Sequence, residues 1–200
     1  MTVSAASAQT TRMSADGSLE MAGHKLKCEN VRTRLDSRLP NLGVAVPDER
    51  LLLINPFLVG RQPKVVQLFV FSHECGHHRV GASELGADCW AVNRGVAQGW
   101  LDRPALQHVC RSFGNAERTA THPSAKNRCA NLERCFGTAI ARHQPKQQPP
   151  VRTATPAAPA RGAVPVVTAP VANAKQNTAT ATQEPAITSE PRLLWTGAVH

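Results

Sequence analysis

Phe71–Trp90, reading FSHECGHHRVGASELGADCW, concentrates the groups able to do chemistry in this 200-residue chain. His73 and His77 have the i, i+4 spacing of paired metal ligands. On a helix turning about 100° per residue they lie about 40° apart, one turn from each other, so both imidazoles can point at one ion. Glu74 lies beside them, where it can reach a water held by that ion without binding the metal itself. Two histidines do not complete a catalytic set. Two histidines, one carboxylate and a water form a common one. Glu84 and Asp88, one turn apart on the next segment, are the carboxylates in reach.

Those side chains need two helices to position them. Lys64 to Val80 is long and largely apolar, which predicts a buried helix closed by Gly81. Ser83 has the type and place of an N-cap for a second helix, Glu84 to about Gln98. The turn at Val80–Gly81 folds the pair into an antiparallel hairpin, with Glu84 across from His77 and Asp88 across from His73. Glu84 then takes the metal, and Asp88 holds the other ring nitrogen of a histidine. If the short link keeps Glu84 from swinging inward, Asp88 becomes the ligand instead. Cys75 faces roughly the opposite side, for packing or a disulfide, and His78 points away from the pair.

Gly43–Val46 and Leu51–Ile54 are short apolar runs flanking PDER, the pattern of a strand pair. NPFLVGRQP reads as a loop. Asp102 caps a third helix, with Pro104 in its first turn, running to about Phe113, and Ser124 caps a fourth that carries Arg128. The expected class is mainly α with a small β element (α+β). Residues 1–20 read as a polar, structureless leader, and Ala6-Ser7-Ala8 fits the end of a signal peptide. Residues 21–143 form the folding unit. Residues 144–200 hold most of the fifteen prolines and read as a disordered tail able to contact the cell envelope or a partner.

All six cysteines fall inside the folding unit, which predicts up to three disulfides and an exported protein. Cys129 and Cys135 on one continuous helix are too far apart to pair with each other. The net charge of +9 is spread over the chain without interleaved aromatics, which argues against nucleic acid as a partner. No apolar run reaches the length of a membrane span.

HECGHHRVGASELGADCWAV resembles the HExxH…ExxAD core of gluzincin peptidases, as found in the HtpX and CAAX-prenyl endopeptidase group and in a group of bacterial neutral zinc metallopeptidases. ATHPSAKNRCANL (Ala120–Leu132) resembles the first group's downstream Thr-His-Pro-x4-Arg signature, with His122, Pro123 and Arg128 in register. The resemblance implies a minimal zincin-like helical hairpin with Zn2+ on His73, His77 and Glu84, and Glu74 as catalytic acid/base. It further implies Asp88 as the carboxylate behind a ligand and Arg128 as a brace from the fourth helix. The spacer before Glu84 is shorter than in that group. The expected activity is endopeptidase cleavage of a peptide or protein substrate. His122 is either a donor to the oxyanion or a histidine flanking a helix. The rival readings are a zinc-stabilised binding module without catalysis and a disulfide-held envelope or surface protein.

Overall fold

Period-two alternation appears early in the chain. The computed structural model describes residues 11–143, and the proline-rich tail expected from 144 onward lies outside them. In β2 (Leu19–Met21) the two apolar side chains point inward and Glu20 outward. Ala22 and Gly23, with φ of 53° and 82°, supply the left-handed pair that a two-residue hairpin turn requires. The result is an antiparallel meander of β1 (Arg12–Met13), β2 and β3 (His24–Leu26). The folded unit therefore begins before Met21. Residues 11–20, read from composition as leader, are part of it, because the alternating Leu19 and Met21 bury completely despite their polar neighbours.

A second sheet has the order β4-β6-β5, from β4 (Arg32–Leu35), β5 (Gly43–Val46) and β6 (Leu51–Ile54). The expected strand pair is there, with β5 antiparallel to β6. The sequence reading did not include β4, which runs parallel to β6. Nor is NPFLVG wholly a loop: α1 (Pro56–Gly60) forms there, because Asn55 Oδ1 accepts from the amides of Phe57 (2.9 Å) and Leu58 (3.1 Å).

Four longer helices follow: α2 (Lys64–Val80), α3 (Glu84–Ala97), α4 (Arg103–Ser112) and α5 (Ala125–His143). Ser83 and Asp102 cap α3 and α4 through their side-chain oxygens, as their positions predict. The chain is α+β. Helix α2 is buried without a break from Val66 to His77 because it separates two cores. Leu19, Met21, Leu52, Ile54 and Phe71 fill one, toward the sheets. Phe69, Val92, Leu106, Leu132 and Phe136 fill the other, among the helices. A helix covered on both sides cannot show a one-sided polar pattern, hence its nearly continuous apolar run.

Three disulfides join Cys28 to Cys75, Cys89 to Cys135 and Cys110 to Cys129. Among the described residues no helix is long and apolar enough to cross a membrane.

Helices α2 and α3 approach closely at Gly76. A Cβ placed there would lie 3.1 Å from Ala87 Cα and 3.2 Å from its carbonyl oxygen. Gly76→Ala must therefore push the hairpin apart, and we expect it to cost about 1–3 kcal/mol as an overpacked contact. Urea unfolding of the metal-free protein measures it, and a neutral result would mean the two backbones can part freely.

Candidate metal centre

The hairpin brings the histidines and the first carboxylate of α3 together in the interior. Helix α2 ends at Gly81, whose φ of 70° is a conformation that glycine adopts without strain. Two residues later Ser83 starts α3. Glu84 thus lies in the first turn of α3, facing back on the last turns of α2. One ligand atom each from His73, His77 and Glu84 lie within 4.8 Å of one another, and all three residues are buried. Nε2 of His73 is 3.3 Å from Glu84 Oε2, and Nε2 of His77 is 3.5 Å from Glu84 Oε1. The tight link does not prevent Glu84 from turning inward.

Asp88, one turn further along α3, takes the other role. Its Oδ1 lies 2.9 Å from His73 Nδ1, and its carboxylate receives the fork of Arg128 from α5, with Nε donating to Oδ2 at 2.9 Å and Nη2 to Oδ1. Burial works to raise the Asp88 carboxyl, but hydrogen bonds from Arg128 and His73 hold it below its ordinary range. Burial likewise works to raise Glu84, and contact with His73 outweighs it. Arg128 Nη1 also stands 3.8 Å from Glu84 Oε2, and its guanidinium lies over the Phe113 ring at 4.3 Å.

The hydrogen bonds fix how the imidazoles face each other. His77 Nδ1 lies 2.8 Å from the Gly81 carbonyl, which can only accept, so Nδ1 carries the proton. His73 Nδ1 donates to Asp88 in the same way. With both rings neutral, two bare Nε2 lone pairs would meet at 3.1 Å beside a carboxylate. Glu84 Oε2, buried and 3.3 Å from His73 Nε2, would then receive no hydrogen bond. An arrangement of three inward-facing acceptors is stable only around positive charge, either a proton or a metal cation. The donor set therefore fits a metal ion.

Without metal the proton resides on His73. Burial alone would lower its pKa from 6.5, but the Asp88 and Glu84 carboxylates push it up to about 9. The sign follows. This charge stabilises the metal-free fold fully below about pH 6.5, and the contribution is lost as pH rises through about 9. A metal ion must displace that proton. We expect about one proton released per metal bound near neutral pH, and apparent affinity falling roughly tenfold per pH unit as the solution is made more acidic. Calorimetric titration in buffers of different ionisation enthalpy counts the protons, and zero release would show that no proton holds the place of the metal on His73.

Glu74, also buried, points toward the sheet side of α2. Its Oε2 accepts from the backbone amide of Ala45 at 2.9 Å. Ala45 belongs to β5, the outer strand of its sheet. His122 reaches the site from the loop before α5, with Nε2 3.5 Å from Glu84 Oε1 and Nδ1 2.8 Å from Thr121 Oγ1. The structure thus gathers His73, His77, Glu84, Asp88, Arg128 and His122 in one place, with Glu74 on the flank. The sequence reading missed two backbone partners, the Ala45 amide and the Gly81 carbonyl. The Gly81 carbonyl position follows from the helix end that the glycine makes.

Searches of protein-family models, of curated proteins and of solved structures found no match to this chain.

Proposed function

We propose that the protein is a zinc-dependent endopeptidase, exported from the cell. The observation that carries this reading is the convergence of His73, His77 and Glu84, with Glu74 next to the first histidine. Imidazole and carboxylate ligands suit zinc, and the similarity to the gluzincin motif supports the same ion. When bound, zinc would acidify a water and polarise the substrate carbonyl.

The chain's own residues divide the remaining work. His73, His77 and Glu84 hold the ion. Asp88 fixes the His73 ring through Nδ1, and Arg128 fixes Asp88. Glu74 is anchored through Oε2 to Ala45, which leaves Oε1 to take a proton from water and pass it to the leaving amine. The outer edge of β5 lies on the same flank, so an extended peptide added to that edge would run past Glu74. His122 supplies a donor beside Glu84 for charge developing on the substrate carbonyl oxygen. Three disulfides are compatible with export.

Zinc stoichiometry on purified full-length protein tests the metal, and cleavage of a quenched peptide library tests the activity. We expect about one zinc in the wild type and none retained in Glu84→Ala. In Asp88→Ala we expect binding weaker by about 10–100-fold. A wild type without zinc would overturn the proposal. Zinc present with no peptide cleaved would leave a metal-stabilised binding module.

A further inference from the structure

Cys75, Cys89 and Cys129 each follow directly on a residue of the site: Glu74, Asp88 and Arg128. One step along a helix turns about 100°, so each sulfur points away from the site toward a neighbouring element. There Cys75 meets Cys28, Cys89 meets Cys135 on α5, and Cys129 meets Cys110 on α4.

The three pairs differ in access. Cys28 and Cys75 are each 1% exposed. Cys110 and Cys129 are both half-buried. Cys129 also lines a cleft of about 560 Å³, together with Gly114, Asn115, Glu117, Ser124 and Lys126. The cleft is open to solvent and lined largely by small and polar residues, so a small-molecule thiol has room to reach Cys129. The same disulfide clasps the two ends of segment 110–129, and this segment delivers both His122 to Glu84 and Arg128 to Asp88. Helix α5 has further anchors: Leu132 and Phe136 are in the helical core, and Asn131 Nδ2 donates to the Leu85 carbonyl at 2.9 Å. Opening the clasp would therefore relax the segment without undoing the fold.

We propose that Cys110–Cys129 is a thiol-exchange site, opened by a small-molecule thiol entering the cleft, and that opening it lowers the metal affinity of His73, His77 and Glu84. The cleft presents Cys129, which sets the chemistry. A thiolate attacks Cys129 Sγ, forming a mixed disulfide while the bond to Cys110 breaks and Cys110 leaves as a thiolate. A second thiolate attacks the small-molecule sulfur of the mixed disulfide and frees Cys129. Two thiols become one disulfide, and the cystine takes up their two electrons and two protons. Arg128 and His122 then lose their fixed register over Asp88 and Glu84. The effect on metal rests on the metal-centre reading above; the order of disulfide opening does not.

The test uses the full-length protein in two arms. In the first, reduced glutathione is titrated in, free thiols are trapped with iodoacetamide, and labelled peptides are weighed. Cys110 and Cys129 should be labelled first and Cys28 and Cys75 last; the reverse order would overturn the exchange site. In the second, zinc affinity is measured against a chromophoric chelator. The Cys110→Ser/Cys129→Ser variant should bind about 10–100-fold more weakly than the oxidised wild type with its helical circular dichroism intact. Unchanged affinity would overturn the coupling. In a His122→Ala/Arg128→Lys background the same serines should cause no further loss; a fully additive loss would show a general structural effect and overturn the coupling too. An oxidised wild type that binds no zinc would overturn the metal reading and the coupling with it. That result differs from unchanged affinity, because the starting protein is itself empty.

Discussion

If the protein is the zinc endopeptidase proposed above, Glu74→Gln will lower peptide hydrolysis by about 10²–10⁴-fold, the usual contribution of a positioned acid–base group, while zinc content stays at about one per chain. Glutamine keeps the shape of glutamate, and its side-chain oxygen can still accept from the Ala45 amide that now holds Glu74 Oε2. What it loses is the ability to take a proton. The change should therefore appear in kcat, with little in KM and nothing in metal stoichiometry or unfolding. Three outcomes are distinguishable in one preparation. Loss of activity with zinc retained supports Glu74 as the proton carrier. Loss of both would make Glu74 part of the metal set, and unchanged turnover would refute the proposed mechanism.

Arg128→Ala will destabilise the metal-free protein by about 3–5 kcal/mol, the cost of leaving one partner of a buried ion pair alone. Asp88 is fully buried and Arg128 is 3% exposed, so neither charge can fall back on water. Asp88 has two stabilising contacts, the Arg128 fork and the His73 Nδ1 proton. Removing the fork leaves the second alone to hold a carboxylate that burial pushes toward protonation. Adding Asp88→Asn to Arg128→Ala should recover part of the loss, since a neutral amide costs less to bury. Denaturant unfolding of the chelator-treated proteins measures both. A cost for Arg128→Ala below about 1 kcal/mol, the range of exposed pairs, would show that water reaches the pair.

How much of this was legible follows from which features leave a mark in side-chain order. Ser83, Asp102 and Gly81 are residue types selected for helix ends, and the observed helices begin and end beside them. The helical angle together with the turn at Val80–Gly81 placed Glu84 against His77 and Asp88 against His73. The first sheet left only a faint mark, because its strands are two or three residues long and a single apolar-polar-apolar triplet in β2 is weak evidence against polar neighbours. Strand β4 was hidden because Arg32 and Arg34 face solvent, so only Thr33 and Leu35 turn inward. The Ala45 amide and the Gly81 carbonyl are backbone groups, which leave no mark in side-chain order as partners of Glu74 and His77. Disulfide pairing was illegible for a different reason. It depends on how α5 packs on α3 and α4, and six cysteines allow about fifteen arrangements.

The short link between α2 and α3 has a consequence for folding order. The residues able to hold a metal ion all lie between His73 and Glu84, within one helical hairpin, so closing that loop costs little chain entropy. Arg128, in contrast, joins them only after the chain has returned through α4. Contacts of such different range form at different times, local ones first. A cation met during folding would thus be gathered by the hairpin before its bracing helix arrives. In native-state hydrogen exchange, the metal-loaded protein should then keep the amides around His77 protected through partial openings that already expose α5.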